Sequence, residues 1–217
     1  NPTGKVLTRE ETAEVARLAI EHDLIVVADE VYEHLIFDGL PHVPIAGFDG
    51  MRDRTLVISS GGKTFNTTGW KVGWMCGSAP VVAAARTAKQ FLTYVSSGPF
   101  QPAIAVGLRL GDEYYRELAD DLATKRDKLL TGLRTAGFDA FSPSGTYFIT
   151  ADIRPVQPDG DGLAFCRSLP ERCGVVAIPN VVFYDHKDEG RHLVRFAFCK
   201  RHEVIDEAVG RLKELSS

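Results

Sequence analysis

The hydrophobic pattern alternates helix-like and strand-like stretches through the first hundred residues, then changes character. Thr8-Arg-Glu-Glu11 has the form of a capping box, with the Thr8 hydroxyl on an early amide and Glu11 reaching back. Val15, Leu18, Ala19 and His22 follow at helical spacing. The short apolar run Leu24-Ile-Val-Val-Ala28 predicts a buried parallel strand, ending in Asp29-Glu-Val-Tyr32. A loop with Gly39, Pro41, Pro44, Gly47 and Gly50 leads to a second apolar run, Leu56-Val-Ile58, which ends in Ser59-Ser-Gly-Gly62 and Lys63. Trp70 to Gly77 reads as a third strand. Pro80 suits a first helical turn, so residues 80–95 are expected to be helical.

Ser96 to Pro102 interrupts this pattern. A long helical segment is expected over 103–136, with Gly111-Asp112 as its break and Gly137 as its C-terminal cap. Thr146–Asp152, Val175–Ile178 and Leu193–Cys199 read as strands, and 203–215 as a last helix. The fold class expected is α/β, a layered domain with a mostly parallel sheet, followed by a small α+β domain. The segmentation is 1–102, a connecting helical segment 103–136, and 137–217.

Composition narrows the function classes. The 217 residues carry a formal net charge of −4. There is no basic run, so neither nucleic acid nor anionic membrane is an expected partner. No apolar stretch approaches the roughly 20 residues of a membrane span, and no signal peptide is evident. Cys76, Cys166, Cys173 and Cys199 lack paired spacing, so neither a metal site nor a disulfide framework is expected, and a reducing cytoplasm fits. The chain opens directly on a turn, Asn1-Pro-Thr-Gly4, and is expected to be the C-terminal part of a longer polypeptide.

Four side chains carry candidate chemistry. A lysine at the end of a buried strand, as Lys63 is expected to be, sheds part of its water and becomes a nucleophile toward aldehydes; the ordinary alternative is a solvated lysine. Gly62-Lys63-Thr64 is not a phosphate-binding P-loop, since the glycine such a loop needs is Val57. Asp29 stands where open α/β sheets place ligands. It would either pair with a protonated ring nitrogen or cap the following segment. Tyr32 would either aim its hydroxyl at the same ligand or simply pack. Arg195, within Leu193-Val-Arg-Phe-Ala-Phe198, would either hold a carboxylate on an inner face or sit solvated on an outer one.

Together, Asn1-Pro-Thr-Gly4, Ala28-Asp29-Glu-Val-Tyr32, Ser60-Gly-Gly-Lys63 with Gly69-Trp-Lys-Val-Gly73, and Val194-Arg195-Phe resemble the fold-type I, class I/II aminotransferases, in that family's order. The resemblance spans the whole chain but only the last half of a usual member. It implies pyridoxal 5′-phosphate as cofactor. Lys63 resembles the residue that holds it covalently and moves the substrate proton. Asp29 resembles the partner of the pyridine nitrogen. Asn1 and Tyr32 resemble the pair on the phenolic oxygen, Ser60 a phosphate ligand, and Arg195 the clamp on the substrate α-carboxylate. Many members carry arginine eight residues after the lysine. Lys71 stands there instead, a point charge without a fork. The run from Gly62 to Trp74 is similar to the kynurenine aminotransferase-like branch, which includes bacterial N-succinyldiaminopimelate aminotransferases. Gly145–Phe148 and Ala177–Tyr184 are most similar to bacterial members of that branch.

The expected function is therefore transamination between an amino acid and a 2-oxoacid, in a homodimer. N-succinyldiaminopimelate with glutamate leads, and an aromatic or sulfur amino acid follows. The alternatives are a cysteine-conjugate β-lyase using the same cofactor, and a catalytically incomplete fragment. The resemblance also implies that groups from the family's first half are needed for turnover.

Overall fold

The computed structural model describes residues 1–216 and divides into two compact units, Val6–Leu118 and Asn1–Lys5 with Ala119–Ser217.

In the Val6–Leu118 unit, helix α1 (Arg9–Glu21) starts at the expected capping box. The Thr8 hydroxyl accepts from the Glu11 amide at 3.2 Å, and Glu11 accepts from the Thr8 amide at 2.9 Å. Its buried face is Thr12, Ala16 and Ala19, whereas Val15 and Leu18 are exposed. Strand β1 (Val26–Asp29) pairs in parallel with β2 (Thr55–Ser60), Asp29 lying opposite Ile58. A single helical turn α2 (Gly61–Thr64) follows β2 directly, and β3 (Gly73–Gly77) returns antiparallel to β2. The sheet thus has one parallel and one antiparallel pair. Helices α3 (Ala79–Leu92), with proline in its first turn as expected, and α4 (Gln101–Gly107) come next. A break at residues 108–111 precedes α5 (Asp112–Thr135).

Two local expectations are corrected here. The first strand is not buried on both faces. Val26 and Ala28 pack on the cluster of Ala16, Ala19, Ile45 and Met51, but Val27 on the opposite face is 62% exposed. Among the described residues α3 buries no side chain, so one apolar sheet face stays open to solvent. The third strand begins at Gly73 instead of Trp70, because Thr68–Trp70 forms a 3₁₀ turn and Lys71 adopts the left-handed conformation (φ 55°). The long helical segment breaks where expected: α4 ends at Gly107, and Asp112 starts α5 with acidic residues that suit a helix N-terminus.

The other unit contains the second sheet, ordered β4 (Asp139–Ala140), β5 (Phe148–Asp152), β7 (Leu193–Ala197), β6 (Ile178–Pro179) and antiparallel throughout. Helix α6 (Gly162–Cys173) is capped by Asp161 and ends at Gly174. Strand β6 (Ile178–Pro179), turn α7 (Lys187–Gly190), strand β7 (Leu193–Ala197) and helix α8 (His202–Lys213) complete it. Val175–Ala177 does not join the ladder, and β4 is a strand that the apolar pattern misses because it is two residues long. The core is Phe148, Ile149, Ile153, Phe165, Leu169, Val194, Phe198 and Leu212 with Leu133 of α5. Leu122, Leu129 and Leu130 of α5 are buried too, so residues 119–136 group with the C-terminal residues instead of forming a separate connector.

The opening turn belongs to the same unit. The Gly4 carbonyl accepts from the Ser144 and Gly145 amides at 3.0 and 3.2 Å. Gly4 has φ +79°, and a Cβ on it would lie 2.6 Å from the Pro143 Cβ. Only glycine meets both demands.

Asp152 supplies an acid-sensitive element. Burial pushes its carboxyl up, but hydrogen bonds from the Arg154 side chain and amide, with the charges of His192 and Arg154, outweigh that and hold it below the ordinary carboxylate value. A depressed native value stabilises above the unfolded value, and the gain is lost as pH falls through the native one. Asp152→Asn should therefore flatten the fall of Tm below about pH 4, the ordinary aspartate range. Thermal unfolding of both proteins from pH 7 to pH 2.5 measures it, and parallel acid limbs would refute it.

Candidate active site

The structure gathers five of the expected site residues in the Val6–Leu118 unit. Asp29 ends β1, and one Oδ accepts from the Val31 amide at 3.2 Å. That bond is the local capping role weighed for it, and it occupies one carboxylate oxygen. The side chain is exposed, so no burial cost demands a cation. Tyr32 follows in the next turn, half-buried. Ser60 precedes α2 and makes no capping hydrogen bond with its side chain. Lys63 lies inside α2, half-buried, with Nζ 6.0 Å from the centre of the Tyr32 ring. Lys71 is exposed on the turn before β3.

Parallel pairing explains the grouping. Two parallel strands end at the same edge, so the residues that follow β1 and β2 emerge side by side. The turn carrying Lys63 is then fixed by its neighbours. The Thr67 hydroxyl donates to the Gly61 carbonyl and the Thr68 hydroxyl to the Gly62 carbonyl, each at 3.0 Å. The Tyr114 hydroxyl donates to the Thr64 carbonyl at 2.9 Å, and burial raises the Tyr114 phenol above its ordinary value. Ile104 packs where a Cβ on Gly61 would stand, 2.5 Å from its Cδ1.

Beside this group, sequence reasoning missed Glu30, Glu33 and His42, whose donor atoms lie within 4.8 Å of one another. These donors already serve each other and the sheet. The His42 ring bonds Glu30 at 2.9 Å, which raises the imidazole above its ordinary value, and Ser59 donates to Glu33 at 2.9 Å. Two of the three stand in Asp29-Glu-Val-Tyr-Glu33, where charged residues after a strand read as a solvated turn, and His42 lies nine residues on in the loop, where nothing local links it to them.

The remaining two residues, Asn1 and Arg195, belong to the other unit. Arg195 is 7% exposed, and Val194 and Phe196 on the opposite face of β7 are buried as well, so both faces of the strand are covered and the solvated outer position is ruled out. Its Nη2 donates to the Asn1 Oδ1 at 3.1 Å and to the Pro2 carbonyl at 3.2 Å. The guanidinium carbon lies 3.8 Å from the centre of the Phe148 ring and 4.2 Å from that of Phe183. No apolar pattern could have named these two rings, because each reads as ordinary core.

A family model described as aminotransferase class I and II matches residues 1–212. The Mycobacterium tuberculosis protein named "Probable N-succinyldiaminopimelate aminotransferase DapC" is 49% identical over all of this chain and 56% of its own length. The kynurenine–oxoglutarate transaminase of Dictyostelium discoideum is 38% identical over 99% of the chain and 54% of its own length. The solved structure of N-succinyldiaminopimelate aminotransferase from Mycobacterium tuberculosis superposes with a TM-score of 0.94 at 51% identity, over 99% of this chain and 56% of that one. The chain spans about half the length of the curated relatives it matches. Aminotransferases of this class depend on pyridoxal 5′-phosphate. The donor set beside Lys63 fits such a group: an amine for an aldehyde, a carboxylate for a ring nitrogen, a phenol, a hydroxyl and a second ammonium.

The contact of Gly61 with Ile104 yields a stability test. Gly61→Ala should cost about 1–3 kcal/mol by overpacking, and Ile104→Ala in the same chain should remove much of that penalty. Denaturant unfolding of the two single variants and the double variant measures the coupling. Additive penalties would show that Ile104 does not brace the lysine turn.

Proposed function

Because the chain belongs to the class I and II aminotransferases, we propose that it carries the lysine-bearing part of a pyridoxal-phosphate-dependent transaminase acting on an amino acid and a 2-oxoacid. The observation that carries the reading is the Lys63 amine held over the Tyr32 ring, on the turn after β2, with Asp29 ending the parallel neighbour of that strand. When bound, the cofactor supplies an aldehyde and a cationic ring that draws electrons from the substrate Cα.

The chain's residues then divide the work. Lys63 would hold the cofactor at its aldehyde carbon and would take up the proton leaving the substrate Cα, so one amine would serve as anchor and as general base. Asp29 keeps the ring nitrogen protonated with the carboxylate oxygen not bonded to Val31. Tyr32 would bind the phenolic oxygen, a role that the sequence resemblance also gives to Asn1. Ser60 and Lys71 bind phosphate, Lys71 as a point charge without the two-pronged geometry of arginine. Arg195 would bind the α-carboxylate by charge-assisted hydrogen bonds.

The substrate class rests on likeness alone. A relative named for N-succinyldiaminopimelate at 49% identity, against 38% for one named for kynurenine, favours the former, with glutamate as amino donor. A homodimer is the proposed assembly. It is supported by the exposed apolar run at the end of α3, where Phe91 and Leu92 are each 82% exposed and Tyr94 and Val95 each 71%, a patch of the kind that partner subunits cover. No helix among the described residues is long and apolar enough to cross a membrane. The four cysteines are free, which suits the cytoplasm.

The test is an assay of the complete protein with pyridoxal phosphate. Glutamate formation from 2-oxoglutarate with an amino donor is expected. Pyruvate and ammonia released from a cysteine conjugate, without glutamate formation, would replace transamination with β-elimination. Asp29→Ala should lower kcat by about 100-fold or more, the scale of removing a preorganised electrostatic partner, and weaken cofactor binding less. An unchanged kcat in that variant would contradict the role given to Asp29.

A further inference from the structure

We propose that Phe148 and Phe183 are positioning residues that hold the Arg195 guanidinium flat between two rings, and so fix the plane in which it meets a carboxylate. This rests on the assignment of Arg195 as the carboxylate-binding residue. On β5, Thr150 lies opposite Arg195, and Phe148 is two residues before Thr150, hence on the same face. Its ring therefore lies under the guanidinium, with 3.8 Å from ring centre to Cζ. Phe183 comes from the 3₁₀ turn Asn180–Phe183 and brings a second ring to 4.2 Å from the same carbon.

A guanidinium is a flat, weakly hydrated cation that stacks on aromatic faces and donates only along its edge. Rings stacked on the two faces would leave an anion only the plane of the guanidinium to approach in. The Asn1 Oδ1 and Pro2 carbonyl, both on Nη2, bond that edge and further limit rotation. The two rings have different burdens. Phe148 is 2% exposed and belongs to the core, whereas Phe183 is 46% exposed and can be changed without opening the interior.

The experiment is run on the complete protein loaded with pyridoxal phosphate, comparing Phe183→Leu, Phe183→Tyr and Arg195→Lys. Glutarate serves as a non-reacting carboxylate probe, its dissociation constant measured by calorimetry. Phe183→Leu removes the ring but keeps an apolar side chain, and should raise the glutarate dissociation constant by about 5-fold, the scale of a partly desolvated cation–π contact. KM for the amino donor and for the 2-oxoacid should rise by the same factor, because both carry the carboxylate, with kcat changed by less than about twofold, the pattern of lost uniform binding. Phe183→Tyr keeps the ring and should behave as the parent. If leucine and tyrosine bind glutarate alike while Arg195→Lys weakens it, the sandwich has no positioning role and the proposal is overturned. If Arg195→Lys itself leaves glutarate binding unchanged, the carboxylate role of Arg195 falls, and the proposal with it.

Discussion

The chemistry of this chain depends on the parallel ladder between β1 and β2. Asp29 is in register with Ile58, so the two strands finish at one edge of the sheet, and the turns that follow them emerge together. Were β2 antiparallel to β1, Lys63 and Asp29 would leave from opposite ends. Everything around the lysine turn then serves to keep it where the ladder puts it: two threonine hydroxyls on glycine carbonyls, a tyrosine hydroxyl on the Thr64 carbonyl, and Ile104 filling the space that a side chain on residue 61 would take.

The second unit meets a different constraint, that of burying a cation. An inward guanidinium is costly to desolvate unless its hydrogen-bonding edge is used and its faces are packed. Here two rings pack within 4.2 Å of the guanidinium carbon, and Asn1 and Pro2 accept from the edge. The first five residues are bound into this unit through Gly4, whose positive φ and contact with Pro143 admit no side chain. The same few residues thus position Asn1 beside Arg195.

Much of this was legible in the sequence where local rules act alone. The Thr8 cap, the proline at the start of α3, the glycine after α5 and the strand before Lys63 all follow from short-range chemistry, and the family resemblance was carried by four short motifs in order. What was not legible depended on partners distant in sequence. Arg195 was ambiguous because alternation gives a face but not whether that face is covered. The first strand read as fully buried because an apolar run says nothing about what covers it, and Val27 is exposed. Trp70 and Lys71 read as strand because hydrophobic residues flank them, whereas the backbone there turns through a left-handed residue.

The most direct measurement is reductive trapping. The complete protein is mixed with pyridoxal phosphate, reduced with borohydride, digested and weighed by mass spectrometry. A pyridoxyl mass on the peptide containing Lys63, absent from a Lys63→Ala variant, is the expected result. A label on another lysine with Lys63 unmodified would contradict the account at its root.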